Sequence, residues 1–209
     1  MNSPNSNFQR NVFINCPFDE DYKPLLNTLL FTVLICGLEP RIASERTNSA
    51  EIRVQKIKDI IGESCYSVHD ICRMEPLNTG DLPRFNMPFE LGLDLGCRDF
   101  GSGRLSSKQC LILDKERFRY QKVLSDISGN DIKSHDLDAK KLIRKVRNWI
   151  YDIRKERIIS ARKIWQLYNE FYAHFEIATR ELEYDKDDIK EMPDSEFIDF
   201  IKEWLSNNT

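Results

Sequence analysis

The groups able to do chemistry fall where apolar runs give way to loops or helices. The first is Glu90, inside Phe85-Asn86-Met87-Pro88-Phe89-Glu90-Leu91-Gly92-Leu93-Asp94-Leu95-Gly96. Asn86 is a good N-cap and Pro88 is tolerated in a first turn, so a helix is expected to open here. Glu90 then sits about one turn in, where unpaired amides and the helix dipole favour an ionised carboxylate. Such a group serves as a nucleophile or binds a sugar; the plainer reading is a first-turn charge. Leu91, Leu95 and Phe89 are expected to face a sheet. Gly92 and Gly96, four apart, would leave a strip where another backbone comes close. A second group is His69-Asp70, which would bind a ligand or position water, against a satisfied core histidine on a strand end. Asp19, in the acidic turn Pro17-Phe18-Asp19-Glu20-Asp21, either lines a pocket or simply starts a helix. Arg73 and Arg84 are candidates for a phosphate, against loop salt bridges worth little. Asn86 either contacts ligand or only caps.

The elements that must position these residues alternate. Val12-Phe13-Ile14-Asn15-Cys16, ended by Pro17, reads as a buried strand. An apolar helix follows from about Tyr22 to Cys36 and stops at Gly37. Pro40-Arg41-Ile42-Ala43 is a second strand, and Ser49 is expected to cap a helix running to about Ile61. Cys65–Asp70 is the third strand, followed by a polar loop (71–85) holding Arg73, Glu75, Asp81 and Arg84. After the Glu90 helix, Gly101-Ser102-Gly103 marks a turn and Gln109–Asp114 a fourth strand. A short helix near Tyr120 and a weak edge strand near 131–135 complete the pattern. From Leu137 onward only helices are expected: about Asp138 to Lys155, Ser160 to Glu183, and Ser195 to Leu205. Residues 1–10 read as a loose arm.

This predicts an α/β fold with a doubly wound, mostly parallel, flavodoxin/Rossmann-like sheet in residues 1–136, and a C-terminal helical extension in 137–209. The extension would pack on the core or offer a surface to a second copy or a partner protein. Its stripe of Trp165, Leu167, Tyr168, Phe171, Tyr172 and Phe175 reads as a packing or oligomer surface rather than a cofactor box.

The totals exclude several classes. The chain has 209 residues, 41% hydrophobic and 11% aromatic, as in a globular protein. A net charge of -3 gives no global attraction to nucleic acid or membrane. The basic run Arg144 to Arg162 is diluted by Asp152 and Glu156, and helix-face charge explains it. The six cysteines, Cys16, Cys36, Cys65, Cys72, Cys97 and Cys110, form no CxxC pair, so free thiols are expected and no metal site. The longest apolar stretch, Leu25 to Leu38, is too short to span a bilayer, and the polar start shows no signal peptide. A cytoplasmic protein is the expectation.

In an open parallel sheet, ligands bind outside the carboxyl ends of the strands. Asn15-Cys16-Pro17-Phe18-Asp19, Ser44-Glu45-Arg46, His69-Asp70 with Arg73, and the Asn86–Glu90 helix start would gather there. No GxGxxG, Walker A or G-x-S-x-G motif occurs, so phosphate cradling by those devices is not expected.

A first strand opening into an acidic turn (Val12 to Asp19), a third strand ending in polar groups and a Glu-Leu-Gly on the following helix resemble nucleoside 2-deoxyribosyltransferases. They also resemble the related TIR domains that cleave NAD. The likeness covers about residues 11 to 114. The Asp-Ser-Gly-Thr that the transferases carry before the glutamate is replaced here by Arg84-Phe85-Asn86-Met87, and the TIR-type serine and tryptophan are absent. The resemblance implies cleavage of an N-glycosidic bond in NAD or a nucleoside or nucleotide, with Glu90 in the catalytic position. Asp70 joins it, and Asn15, Cys16, Pro17, Phe18, Asp19, Ser44, His69, Arg73, Arg84 and Asn86 line the substrate. No cofactor is implied; NAD, if bound, is substrate. An effector role in bacterial immunity is implied too. The alternative is a module that binds a nucleotide signal or an NAD product without turnover.

Overall fold

Val12, Phe13 and Ile14 are successive and all buried, which a strand achieves only with cover on both faces of its sheet. The computed structural model describes residues 7–76, 82 and 84–208, and it supplies that cover. Strands β1 (Asn11–Asn15), β2 (Glu39–Arg41), β3 (Tyr66–Asp70), β4 (Gln109–Asp114) and β5 (Lys133–Ser134) form one sheet in the order β2-β1-β3-β4-β5. Every neighbouring pair is parallel. Helices α1 (Lys23–Ile35), α2 (Arg53–Gly62), α3 (Asn86–Phe100) and α4 (Ala139–Arg154) cover it, and α5 (Ala161–Glu181), α6 (Lys186–Glu191) and α7 (Asp194–Asn208) follow. The fold is doubly wound α/β with C-terminal helices, as the sequence predicts.

The period of two along each strand sorts side chains between the faces. Val12, Ile14, Val68, Leu111 and Leu113 join the core formed with α1 and α4. Phe13 packs with Ile57, Ile60 and Ile61 of α2, and Ile112 with Met87 and Leu91 of α3. The first core continues unbroken into α5 and α7 through Phe171, Phe175, Ile201 and Trp204. Residues 139–154 therefore complete the sheet's second face, and the later helices form a third layer over α1. The aromatic stripe packs inward: Leu167, Tyr168, Phe171 and Phe175 are buried, with Trp165 and Tyr172 half-buried at the edge. In the basic run, Arg147 donates to the Ile158 and Ile159 carbonyls at 2.7 and 2.9 Å, and Trp149 packs on Tyr66.

Helix α1 is unusual in having no solvent face: residues 25 to 33 are all buried. Pro24 stands in its first turn, and Gly37, in a left-handed conformation (φ 78°), takes the chain out of it. Asp138 and Ser160 cap α4 and α5, accepting from Lys141 N at 2.8 Å and Lys163 N at 3.2 Å.

Several expectations change. Ser49 does not cap α2, which begins after Ile52 without a side-chain cap. Asn86 is not a cap either: Phe85 holds that position and Asn86 is already helical. Phe89 faces outward at 57% exposure. No backbone approaches the glycine strip, since a Cβ on Gly92 would meet nothing within 4 Å and one on Gly96 only Phe100 of its own helix. Residues 7–10 of the expected arm are anchored, with Phe8 buried and its carbonyl accepting from Cys65 N at 2.9 Å. Residues 1–6 of that arm, and Asp81, lie outside the described residues.

Phe171 joins α5 to α1 and α7, with ring centres 5.5 Å from Phe31, 5.6 Å from Phe197 and 6.0 Å from Trp204. Phe171→Ala is expected to cost about 3–5 kcal/mol in denaturant unfolding, in a single transition that includes the sheet. A separate early transition of the C-terminal helices would contradict the shared core.

Candidate functional site

Strand order reverses between β1 and β3, and the chain's polar groups collect at the carboxyl ends of those two strands. They divide by the face of the sheet on which they stand.

On the α3 face, Ser67 and His69 of β3 point at Asp94 of α3. His69 Nε2 lies 3.0 Å from Asp94 Oδ2, and Ser67 Oγ donates to the same oxygen. Lys108 Nζ donates to the Ile61 and Ser64 carbonyls and stands 3.0 Å from Asp94 Oδ1 as an ion pair, off the line of a hydrogen bond. Asn15 Nδ2 donates to the Met87 carbonyl and to His69 Nδ1, each at 2.9 Å. A single ring proton on Nε2 therefore satisfies His69 on both sides. Burial works against the Asp94 carboxylate, but His69, Lys108 and Ser67 outweigh it and hold the group well below the usual range.

On the α1 face, Asp70 is equally enclosed. Tyr22 O–H donates to its Oδ2, and Cys72 N donates to its Oδ1 at 3.0 Å. His135 Nε2 lies 2.8 Å from Oδ2, off the line of a good hydrogen bond. Leu137 N donates to His135 Nδ1 at 3.1 Å. Asp136 and Leu137 are both left-handed (φ 53° and 54°), a conformation costing about 1–2 kcal/mol per residue, so the turn that aims His135 is strained. Burial opposes the Asp70 charge, yet the donors prevail and the carboxyl is lowered.

The solvent side of the same edge carries Phe18, Asp19, Ser44, Arg73, Arg84, Asn86 and Glu90. Asp19 Oδ1 accepts from Tyr22 N and from Arg73 Nη2, each at 3.1 Å, and Arg84 Nη1 stands 3.8 Å from Oδ2. Ser44 Oγ donates to Asp194 Oδ2 at 2.9 Å, and Lys23 Nζ pairs with Asp194 Oδ1 at 2.5 Å. The start of α7 thereby reaches the ends of β1 and β2. Glu90 is 6% exposed and lines an open groove of about 470 Å³ between the starts of α2 and α3. Arg53, Val54 and Ile57 form one wall, and Phe85, Asn86 and Phe89 the other. Burial raises the Glu90 carboxyl above its ordinary value, and the Arg53 cation opposes that only in part. Burial pushes the Cys16 thiol up, and the charges of Asp70, Asp194, Glu90 and Asp19 push it further.

Five expected site residues do not line an open surface. Asn15, Cys16, Pro17, His69 and Asp70 are buried, His69 with both ring nitrogens engaged and Asp70 beneath Tyr22. Their place is behind the site, where they hold its elements together. The sequence reading gave no site role to Tyr22, Arg53, Lys108, His135 and Asp194. Asp94 is the exception that carried a signal: it follows Glu90 by four, so both carboxylates share one helix face.

Two clusters bring metal-ligand atoms within 4.8 Å: His69, Asp94 and Cys110, and Asp70, Cys72 and His135. In each, imidazole and carboxylate stand closer than the roughly 3.3 Å that separates two N/O ligands of a tetrahedral zinc. Both are polar contacts as they stand. The six cysteines are free thiols, and burial pushes Cys36 and Cys110 up to about 12, which makes neither a nucleophile at neutral pH. Among the described residues, no helix is long and apolar enough to cross a membrane. No family model, curated protein or solved structure matches the chain.

Asp94→Asn removes the charge that compensates Lys108, and a loss of about 3–5 kcal/mol is expected in chemical denaturation at pH 7. Because the folded Asp94 and Asp70 carboxyls lie below their unfolded value of 3.8, their contribution is present above that pH and fades as pH falls through the folded values. The Asn variant should show a shallower loss of stability on acidification below pH 4 than the natural chain.

Proposed function

We propose that the chain cleaves an N-glycosidic bond, as hydrolase or transferase, in NAD, a nucleoside or a nucleotide. Glu90 is the carboxylate at the anomeric carbon. The observation that carries this reading is a nearly buried glutamate, raised by desolvation, in a mostly apolar groove at the mouth of a parallel sheet. As the C–N bond breaks, its electron pair leaves with the base and positive charge builds on the sugar ring. A carboxylate in a low-dielectric groove stabilises that charge strongly, or closes on the carbon as an ester that water or another base resolves. Phe85 and Phe89, 69% and 57% exposed, offer ring faces to a base. Asn86 supplies an amide to sugar hydroxyls. Arg53 places a cation beside Glu90, and Arg73 and Arg84 stand at Asp19, where a phosphate would compete for them.

One observation favours binding without turnover. Asp70 and His69 are enclosed, so the described residues of the groove give Glu90 no second carboxylate or imidazole. In that reading the same groove holds a nucleotide signal or an NAD product.

Incubation with NAD and a nucleoside panel separates the two. Released base is expected from the natural chain and should fall by about 10²–10⁴-fold in Glu90→Gln. No released base from any substrate removes the catalytic reading, and equal release by the variant removes Glu90.

Activity should rise with pH along an acid limb whose midpoint lies above the ordinary glutamate value of 4.5, since the ionised form is needed. Arg53→Met removes the cation that favours ionisation and should move the limb to higher pH. A group raised on folding stabilises the protein below its unfolded value and loses that contribution as pH climbs through the folded one. Glu90→Gln should therefore melt higher than the natural chain at pH 7, a gain where activity is lost.

A further inference from the structure

Residues 140–163 hold ten of the chain's 31 Lys and Arg but only two of its 34 Asp and Glu, so the net charge of -3 hides a strongly basic segment. Its two carboxylates do not dilute that charge evenly. Asp152 stands 3.2 Å from Lys155 and Glu156 stands 2.5 Å from Arg154, so each answers one cation. Among the described residues, Lys140, Arg144, Arg147, Arg157 and Arg162 pair with no carboxylate.

Helix geometry gathers these cations. Lys140, Arg144, Arg147, Tyr151 and Lys155 recur at steps of three or four, which sets them in one row along α4. The row spans about 22 Å at 1.5 Å per residue. Helix α5 returns antiparallel beside it: Arg147 donates to the Ile158 and Ile159 carbonyls, and Lys140 Nζ stands 5.2 Å from the centre of the Trp165 ring. That register puts Arg162 at the level of Arg144, and both are exposed. Arg147 also lies over Tyr151, 5.5 Å from the ring centre. An aromatic face holds a cation in place without cancelling its charge. The apolar side chains of α4, Leu142, Ile143, Val146 and Ile150, are all spent on the core, so no apolar face is left to enter a bilayer. A row of like charge is also a poor centre for a protein interface, where charged residues are depleted. It suits a phosphate backbone.

We propose that the outer face of α4 and the start of α5 bind nucleic acid through its phosphate backbone, without reading bases. Lys140, Arg144, Arg147, Arg157 and Arg162 make the phosphate contacts. Helix α4 covers the face of the sheet opposite α2 and α3, so this surface does not depend on what Glu90 does.

Fluorescence anisotropy of the full chain tests this with a labelled single strand of about 20 nucleotides and with its duplex. Binding of at least one is expected, equally for unrelated sequences. With about five phosphates contacted, affinity should fall by about 10²-fold or more between about 50 and about 200 mM salt. Arg144→Ala combined with Arg162→Ala should weaken binding about tenfold or more and flatten the salt dependence, with the melting temperature unchanged. Lys58→Ala combined with Lys186→Ala makes the same charge change elsewhere on the surface and should leave binding as it is. No binding of either oligonucleotide at low salt, natural affinity in the arginine pair, or an equal loss in the lysine pair would overturn the proposal. Tighter binding to phosphatidylserine vesicles than to either oligonucleotide would give the face to a membrane. Self-association in light scattering, lost in the arginine pair, would give it to a second copy, whose residues 181–203 carry ten carboxylates against three cations. Either outcome would also overturn it.

Discussion

A carboxylate enters a sheet–helix seam only if donors meet it there, and Asp94 is where this chain accepts that constraint. Ser67 and His69 of β3 and Lys108 ahead of β4 converge on it, and Asn15 of β1 reaches His69 from the other side. Two central strands and α3 are thus tied by one charge. Its donors fix the rotation of α3, since a turn of the helix would take Asp94 from Ser67 and His69 and leave the buried Lys108 cation without its counter-charge. Glu90 lies one turn earlier on the same helix, so the network that satisfies Asp94 also decides where Glu90 points. Positioning and stability here are the same interaction.

Of the four buried carboxylates among the described residues, Asp114 is paired with Arg119 and still raised by burial, and the other three differ in what surrounds them. Asp94 faces a lysine and a histidine, and Asp70 faces a phenol, an imidazole and an amide; both are held ionised. Glu90 has only Arg53 against its burial and is raised. A charge that is fully compensated has little left to offer a substrate, whereas one still seeking a partner does. That contrast, with its place in an open groove, sets Glu90 apart from Asp94 and Asp70.

Enclosing α1 on all sides has a comparable consequence. Its outer face would be apolar surface without α5 and α7, and the aromatic contacts among Phe31, Tyr168, Phe171 and Trp204 supply that cover. The same closure brings Asp194 to Lys23 and Ser44, across 171 and 150 residues of chain. The C-terminal helices therefore reach the carboxyl edge of the sheet.

What the sequence by itself determined follows from local physics. Short apolar runs, Val12–Ile14 and Cys110–Leu113, alternating with helical patterns, pointed to strands covered on both faces and so to a parallel doubly wound sheet. Gly37, Pro17, Asp138 and Ser160 marked their boundaries by backbone geometry and capping. Glu90 was legible as a candidate because it interrupts an apolar helix after the third strand. The tertiary structure alone decided which polar groups are enclosed among donors and which line an open groove. His69 and Asp70 stand beside each other in sequence, and the pleat sends them to opposite faces, each into its own set of donors. Those donors, Lys108, Tyr22 and His135, come from distant parts of the chain and carry no periodic signal. Asp194 was likewise silent, because long-range packing, not local pattern, set which groups it pairs with.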